Sequence, residues 1–306
     1  MDLFFAPLQG YTDHVFRRIH HDLVGGVDAY FSPFLRWDGG KLRNKDLRDI
    51  LPENNRGVPL VPQVIASGVD ELAPLLDVVQ QNGYDRVDIN MGCPFPMQTG
   101  RGRGAALLAH PDRMETLLRE SARRPELTVS VKMRIGFSEP EEGLRAVEML
   151  NGFDISFLTI HPRLGTQHYK GQADMDAFAA CMAVSRHPVV YNGDLVSTAQ
   201  IDVLSRRFPD LKGVMLGRGL LARPTLAVEW RTGNPLSDDE CLRRSLAMHD
   251  CLCEYAHNTL QGDHQVLARL QTFWEYQPPL MDKRVYKRLM KSKSLAGYEA
   301  VLRELR

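Results

Sequence analysis

The chain has no excess of charge of either sign. It carries 38 lysines and arginines against 38 aspartates and glutamates, so net charge points to no polyanionic partner, and any such partner must be sought in local clusters. Nowhere does it approach the ~18 uninterrupted apolar residues of a membrane-crossing helix, and no membrane contact is expected. The opening MDLFFAPLQG has no basic stretch and no long apolar core, so no secretory signal is expected. Cysteine is sparse. Cys93, Cys181, Cys241, Cys251 and Cys253 are odd in number, and their spacing fits neither a zinc site nor a disulfide framework. No metal is expected, and a reducing cytoplasm is the expected compartment. The G-x-G-x-x-G turn of an open dinucleotide-binding sheet is also missing after the first apolar run.

What is present is enough for a large core. Of 306 residues 43% are hydrophobic and 25% charged, which suits one large domain or a barrel-sized domain with a small one attached. Short apolar runs recur at 3–8, 29–35, 59–65, 86–92, 128–134, 156–163, 188–194 and 213–219. Segments of helical period separate several of them, among them ELAPLLDVVQQNG, PDRMETLLRESARR, EEGLRAVEMLNG and STAQIDVLSRRFPD. Ser197 or Thr198 suits the N-cap of the last, and the Asn-Gly pairs in NGYD and NGFD suit C-caps. Strand then helix, eight times over, predicts a (β/α)8 TIM barrel over residues 1–235, with a doubly wound open sheet as the alternative. After Asn234-Pro235 the strand signals stop, and 236–306 reads as a small all-helical C-terminal domain.

Barrel active sites lie at the C-terminal ends of the strands. Those ends carry Pro7, Gln63, Asn90 with Cys93, Lys132, His161, Asn192-Gly193-Asp194 and Gly217-Arg218. A buried polar group without a partner costs about 1–3 kcal/mol, so polar side chains converging on one end point to a ligand. The glycines of NGD and GRG let backbone approach a ligand closely, and the loops after the last two strands are where barrels often bind phosphate. Arg218 supplies a fork for that phosphate. His161 and Lys132 add further donors. FMN fits this placement better than a dinucleotide; pyridoxal phosphate or a sugar phosphate would satisfy it too.

With these residues in hand, the sequence resembles the tRNA-dihydrouridine synthases. The resemblance rests on AP-L-QGYTDHVFRR (6–18), Gln63 in VPQV, DINMGCP (88–94), GRGRGAALL (100–108), SVKMRIG (130–136), TIHPRLGTQHYKG (159–171), YNGD (191–194) and MLGRG (215–219). It implies a barrel followed by a helical RNA-binding domain, with FMN as cofactor and NADPH as reductant. It further implies that FMN touches the Ala6, Pro7 and Leu8 backbone, Gln63, Lys132, His161, Asn192, Gly193, Asp194, Gly217 and Arg218. It places Asn90 and Tyr169 against the target uracil and makes Cys93 the catalytic cysteine. The sequence departs from the usual pattern after Gly-Cys-Pro, where Phe95-Pro96-Met97-Gln98 stands in place of a common lysine. Arg101 and Arg103 follow and are expected to restore the charge. HPR replaces the usual HGR, Met175 a common tryptophan, and Leu8 a typical methionine.

Reducing uracil takes a hydride at C6 and a proton at C5. Hydride chemistry belongs to the cofactor, and the proton needs a positioned acid. A thiol with its ordinary pKa near 8.5 is mostly protonated at neutral pH, so Cys93 is expected to be that acid. The segment 281–293 holds six basic residues against one acidic, and Lys283, Lys287 and Lys291, four apart, share a helix face. They suit phosphate contacts of an RNA, although a merely solvated face has the same pattern. A monomer acting on tRNA is expected. The alternatives are action on rRNA, an FMN barrel reducing a small molecule, and a non-catalytic RNA-binding protein.

Overall fold

The computed structural model describes residues 1–306. Its strands are β1 (Asp2–Phe5), β2 (Ala29–Phe31), β3 (Leu35–Asp38), β4 (Lys41–Leu42), β5 (Leu60–Val61), β6 (Gln63–Ile65), β7 (Arg86–Met91), β8 (Thr128–Arg134), β9 (Leu158–His161), β10 (Val189–Tyr191) and β11 (Gly213–Leu216). Apart from the β3–β4 hairpin, every pairing is parallel, in the order β6, β7, β8, β9, β10, β11, β1, β2, β5. β5 and β6 are the two halves of one strand split by Pro62, which has no N–H to give a ladder. The first half pairs with β2 and the second with β7. The Pro62 carbonyl still accepts from the Asp88 N–H at 2.9 Å. The ring therefore closes into the eight-stranded parallel barrel expected from the sequence.

Alternation along the strands separates two interiors. Val87, Ile89 and Met91 of β7, Val129, Val131 and Met133 of β8, and Leu158 and Ile160 of β9 face outward into a core of 62 buried residues under the helices. The residues between them point into the barrel. On one side of that interior Phe4, Ala6, Ala29, Phe31, Val61, Val190 and Met215 form an apolar plug. On the other side Gln63, Asp88, Ser130 and Thr159 are buried and polar. One half of the barrel is filled by apolar packing; in the other, hydrogen bonds join Gln63, Asp88 and Ser130, while Thr159 Oγ1 meets no partner.

Local chemistry accounts for where the elements differ from expectation. The second run, expected over 29–35, stops at Phe31 because Pro33 interrupts it. The chain resumes as β3, turns through Gly39 and Gly40 at φ 60° and 77°, and returns as β4, a hairpin the apolar pattern did not reveal. Ser197 caps the helix Thr198–Arg207. Gly83 ends the helix Val69–Gln81 in the left-handed region, as an Asn-Gly C-cap requires. The second Asn-Gly pair works differently: Asn151 gives its amide to Val184 O and accepts from Arg186 N.

Residues after 237 form helices Asp238–Thr259, Asp263–Trp274, Lys283–Lys291 and Leu295–Arg303, with a short turn at Pro278–Leu280. No helix is long and apolar enough to cross a membrane. Leu252, Ala256, Trp274 and Tyr298 belong to the same continuous core as the barrel helices. Within it the Tyr298 hydroxyl accepts from Trp274 Nε1 at 2.8 Å and pairs with His249 Nε2 at 2.7 Å. Tyr298→Phe strands both partners, and a loss of about 1–3 kcal/mol is expected by denaturant unfolding. Because the core is shared, barrel and C-terminal helices are expected to melt in one transition, which calorimetry checks.

Candidate active site

The strand ends open into a cleft of about 850 Å³, within the size range of small-molecule and cofactor sites. Strands β7 to β9 deliver its polar floor by alternation. Asn90 is paired in register with Lys132, and Arg134 with His161. The ends of β10 and β11 add Asn192, Gly193, Asp194, Gly217 and Arg218. Ala6, Pro7 and Leu8 form an apolar wall. The N–H groups of Ala6 and Leu8 are taken by Leu216 O and Thr12 Oγ1, so this wall offers packing and carbonyls rather than donors.

Positive charge dominates. Lys132, Arg134, Arg163 and Arg218 line the cleft, and Asp194 is the one carboxylate among its lining residues. Asp194 bridges Arg163 and Arg218, accepting from Arg218 Nη2 at 2.6 Å. Its side chain is therefore spent as a counter-ion. Burial, then the Arg134 charge, lowers the Lys132 ammonium to about 8, and it donates to no protein acceptor. Burial lowers Arg134 to about 10; its guanidinium is held by Gly92 O at 3.0 Å and Leu164 O at 2.8 Å, leaving Nη2 free. His161 is held well below its ordinary range by burial, then by the charges of Lys132, Arg134, Arg163 and Arg218. It is neutral, and because Arg163 can only donate, Nε2 is the acceptor of their 3.2 Å contact and Nδ1 carries the proton. Two guanidinium groups approach the Tyr169 ring, Arg218 at 5.0 Å and Arg134 at 5.5 Å from its centre.

Cys93 follows β7 and is buried with Phe34 and Ile65. Burial pushes its thiol up, outweighing the opposing pull of a backbone N–H and of Arg134 and Lys132. The loop that carries it is pinned by Asn90, whose Oδ1 accepts from Gly92 N at 3.0 Å and Cys93 N at 2.9 Å. Gly104 seats the following glycine-rich turn on this loop: at φ +61° it lies where a Cβ would come within 2.6 Å of the Cys93 carbonyl.

The structure gathers most of the residues singled out in the sequence and sets a few apart. Gln63 does not line the cleft; fully buried one layer below, it spends its amide on Asp88 and Asn90. Arg103 is withdrawn from solvent and clamped by Asp38 and Glu71, so it has no free face for a phosphate. Arg101 is exposed but already paired with Asp38 at 2.7 Å. The charge expected in this loop is thus neutralised locally. Lys283, Lys287 and Lys291 are exposed on helix Lys283–Lys291, outside the cleft. That helix reaches the mouth through Tyr286, whose hydroxyl donates to Glu275 O, while Tyr11 donates to the Glu275 carboxylate and Tyr276 lines the cleft. Arg134, Arg163 and Tyr276 were missed. The first two carried a signal, since K-x-R and H-x-R at a strand end put both cations on one face.

A family profile for dihydrouridine synthase matches residues 4–300. A tRNA-dihydrouridine(16) synthase of Cupriavidus necator is 30% identical over 78% of this chain and 76% of its own length. A probable tRNA-dihydrouridine synthase of Rhodobacter capsulatus is 32% identical over 72% and 67%. A tRNA-dihydrouridine synthase B of Pasteurella multocida is 27% identical over 73% and 67%. Among solved structures, morphinone reductase in complex with tetrahydroNAD superposes with a TM-score of 0.55 over 77% of this chain and 88% of that one, at 11% identity, which speaks for the barrel alone. The chain belongs to the dihydrouridine synthase family, the enzymes that make dihydrouridine in tRNA.

Proposed function

We propose that this protein reduces uridine in tRNA with FMN in the cleft, NADPH as reductant and Cys93 as the acid that protonates C5. The observation that carries the reading is a thiol kept protonated by burial at the edge of a cleft whose floor is crowded with cations. The residues present fit the flavin. Gly193, Asp194, Gly217 and Arg218 have backbone N–H groups that meet no protein acceptor, and with Arg163 and Arg218 they suit its phosphate. Lys132 offers an unpaired ammonium to the electron-rich edge of the ring, and Ala6, Pro7 and Leu8 offer a surface to its face. FMN bound there supplies the hydride for C6.

The chain's own residues do the rest. Cys93 holds a proton at Sγ until charge builds on the base. The C4 oxygen of uracil gains negative charge in that step and needs a donor. Arg134 Nη2, the Lys132 ammonium and the second amide hydrogen of Asn90 are donors with no protein acceptor in this part of the cleft. Tyr169, held by two nearby guanidinium groups and still 42% exposed, offers an aromatic edge or face to the base. The base reaches this depth only if it is unstacked from its RNA neighbours.

RNA rather than a small molecule accounts for the rim. Phe95 is 50% and Met97 76% exposed just beyond the cysteine, and Tyr169 and Val196 are exposed with them. Large exposed apolar side chains grouped at a cleft mouth suit unpaired bases. Lys283, Arg284, Lys287 and Lys291 form no ion pair and are free for phosphates. A monomer acting in the cytoplasm completes the proposal.

Mapping dihydrouridine in tRNA from cells with and without the gene is expected to show loss at one or more positions; unchanged levels everywhere would defeat the assignment. Lys287→Glu with Lys291→Glu is expected to weaken tRNA binding and flatten its dependence on salt, with flavin content unchanged. Unaltered affinity in a filter-binding titration would return this helix to a merely solvated face. Because burial raises the Cys93 thiol, its alkylation by iodoacetamide should climb with pH through a midpoint above the ~8.5 of free cysteine. A midpoint near neutrality would show a thiolate, which cannot serve as the acid.

A further inference from the structure

Asp88 is titratable, fully buried and unused by the chemistry above. It lies on β7 two residues before Asn90, on the same inward face. Its carboxylate accepts from Gln63 Nε2 at 2.6 Å and from Ser130 Oγ at 2.7 Å. Gln63 Oε1 then accepts from Asn90 Nδ2 at 2.8 Å, and Asn90 Oδ1 accepts from the N–H groups of Gly92 and Cys93. One unbroken chain of hydrogen bonds thus runs from the barrel interior to the cysteine.

The chain has a direction. An amide can be turned end for end with no change of shape, so Gln63 and Asn90 do not by themselves decide which way they face. An ionised carboxylate only accepts, and a backbone N–H only donates. Burial raises Asp88 to about 6, but each of its oxygens accepts a hydrogen bond, from Gln63 and from Ser130, and these bonds and then the Lys132 charge favour the ionised form. An acceptor at one end and two donors at the other allow one consistent assignment. Gln63 must turn its NH2 to Asp88, Asn90 must turn its NH2 to Gln63, and the Asn90 oxygen must meet the cysteine loop. A donor in place of Asp88 would reverse both amides and leave the Gly92 and Cys93 N–H groups facing another donor.

We propose that Asp88 is a positioning residue, fixing the orientation of Gln63 and Asn90 and through them the placement of Cys93. Its catalytic consequence rests on the proposed function; its effect on the cysteine loop does not. The test is a cycle of Asp88→Asn and Ser130→Ala in flavin-loaded protein. Ser130→Ala alone leaves Asp88 an acceptor and is expected to change little. In Asp88→Asn alone, the new amide can keep its oxygen on Gln63 by giving its NH2 to Ser130 Oγ, and the loss should be small. The double variant removes that acceptor. Its effect is expected to exceed the product of the single effects by about tenfold or more.

Two readings are taken. One is the rate at which iodoacetamide alkylates Cys93, which needs neither RNA nor turnover and is expected to rise in the double variant as the loop comes free. The other is single-turnover uridine reduction, expected to slow while the KM for tRNA and the flavin content hold. If the double variant does not accumulate, Gln63→Met cuts the chain one link on and is expected to speed alkylation likewise. Alkylation rates that combine as the product of the single effects, or do not change, would overturn the proposal. The expected alkylation pattern in a protein whose wild type reduces no uridine would support it and overturn the function instead.

Discussion

Four cationic side chains share one cleft with one carboxylate, and much of the site follows from that imbalance. Lys132, Arg134, Arg163 and Arg218 are drawn together by strand alternation and by the closure of the barrel. Asp194 answers two of them. Burial and mutual repulsion lower Lys132 and Arg134, and the same charges keep His161 neutral. Such an arrangement is poised for an anion, and the flavin phosphate proposed for this cleft would relieve it. The excess charge also lies close enough to pull on Cys93, yet burial prevails and the thiol keeps its proton.

The second constraint is the divided barrel interior. Where β1, β2, β10 and β11 face inward, packed Phe4, Phe31, Val190 and Met215 hold the ring. Where β6, β7 and β8 face inward, Gln63, Asp88 and Ser130 hold one another through hydrogen bonds. Apolar packing tolerates small shifts, whereas a directed hydrogen-bond chain fixes orientation as well as distance. The half that carries Cys93 at its mouth is the half joined by hydrogen bonds.

Much of this was legible in the sequence. The barrel followed from apolar runs alternating with helical segments, and the site followed from which polar residues end those runs. What the sequence hid depends on pairing. Pro62 splits a strand without breaking the ring, because neighbours on either side take different halves. Arg103 is as basic as Arg218 in sequence, but Asp38 and Glu71 come from distant segments to claim it. Gln63 reads as a strand end in the sequence, but it opens β6, two residues short of the end at Ile65, and so lies a layer below the cleft. Arg134 and Arg163 were readable as same-face partners of Lys132 and His161. Tyr276 was not, because it reaches the mouth only through the packing of the C-terminal helices on the barrel.

The central claim is that Cys93 acts as a neutral acid, and pre-reduced enzyme mixed with tRNA tests it most directly. Single-turnover uridine reduction is expected to stay flat with pH through neutrality and to fall only as the raised thiol ionises. In Cys93→Ala, with flavin retained, the step should slow by about 10²–10⁴-fold and lose that fall. A wild-type rate that increases as the thiol ionises, or a Cys93→Ala enzyme that reduces uridine at the wild-type rate, would contradict the account.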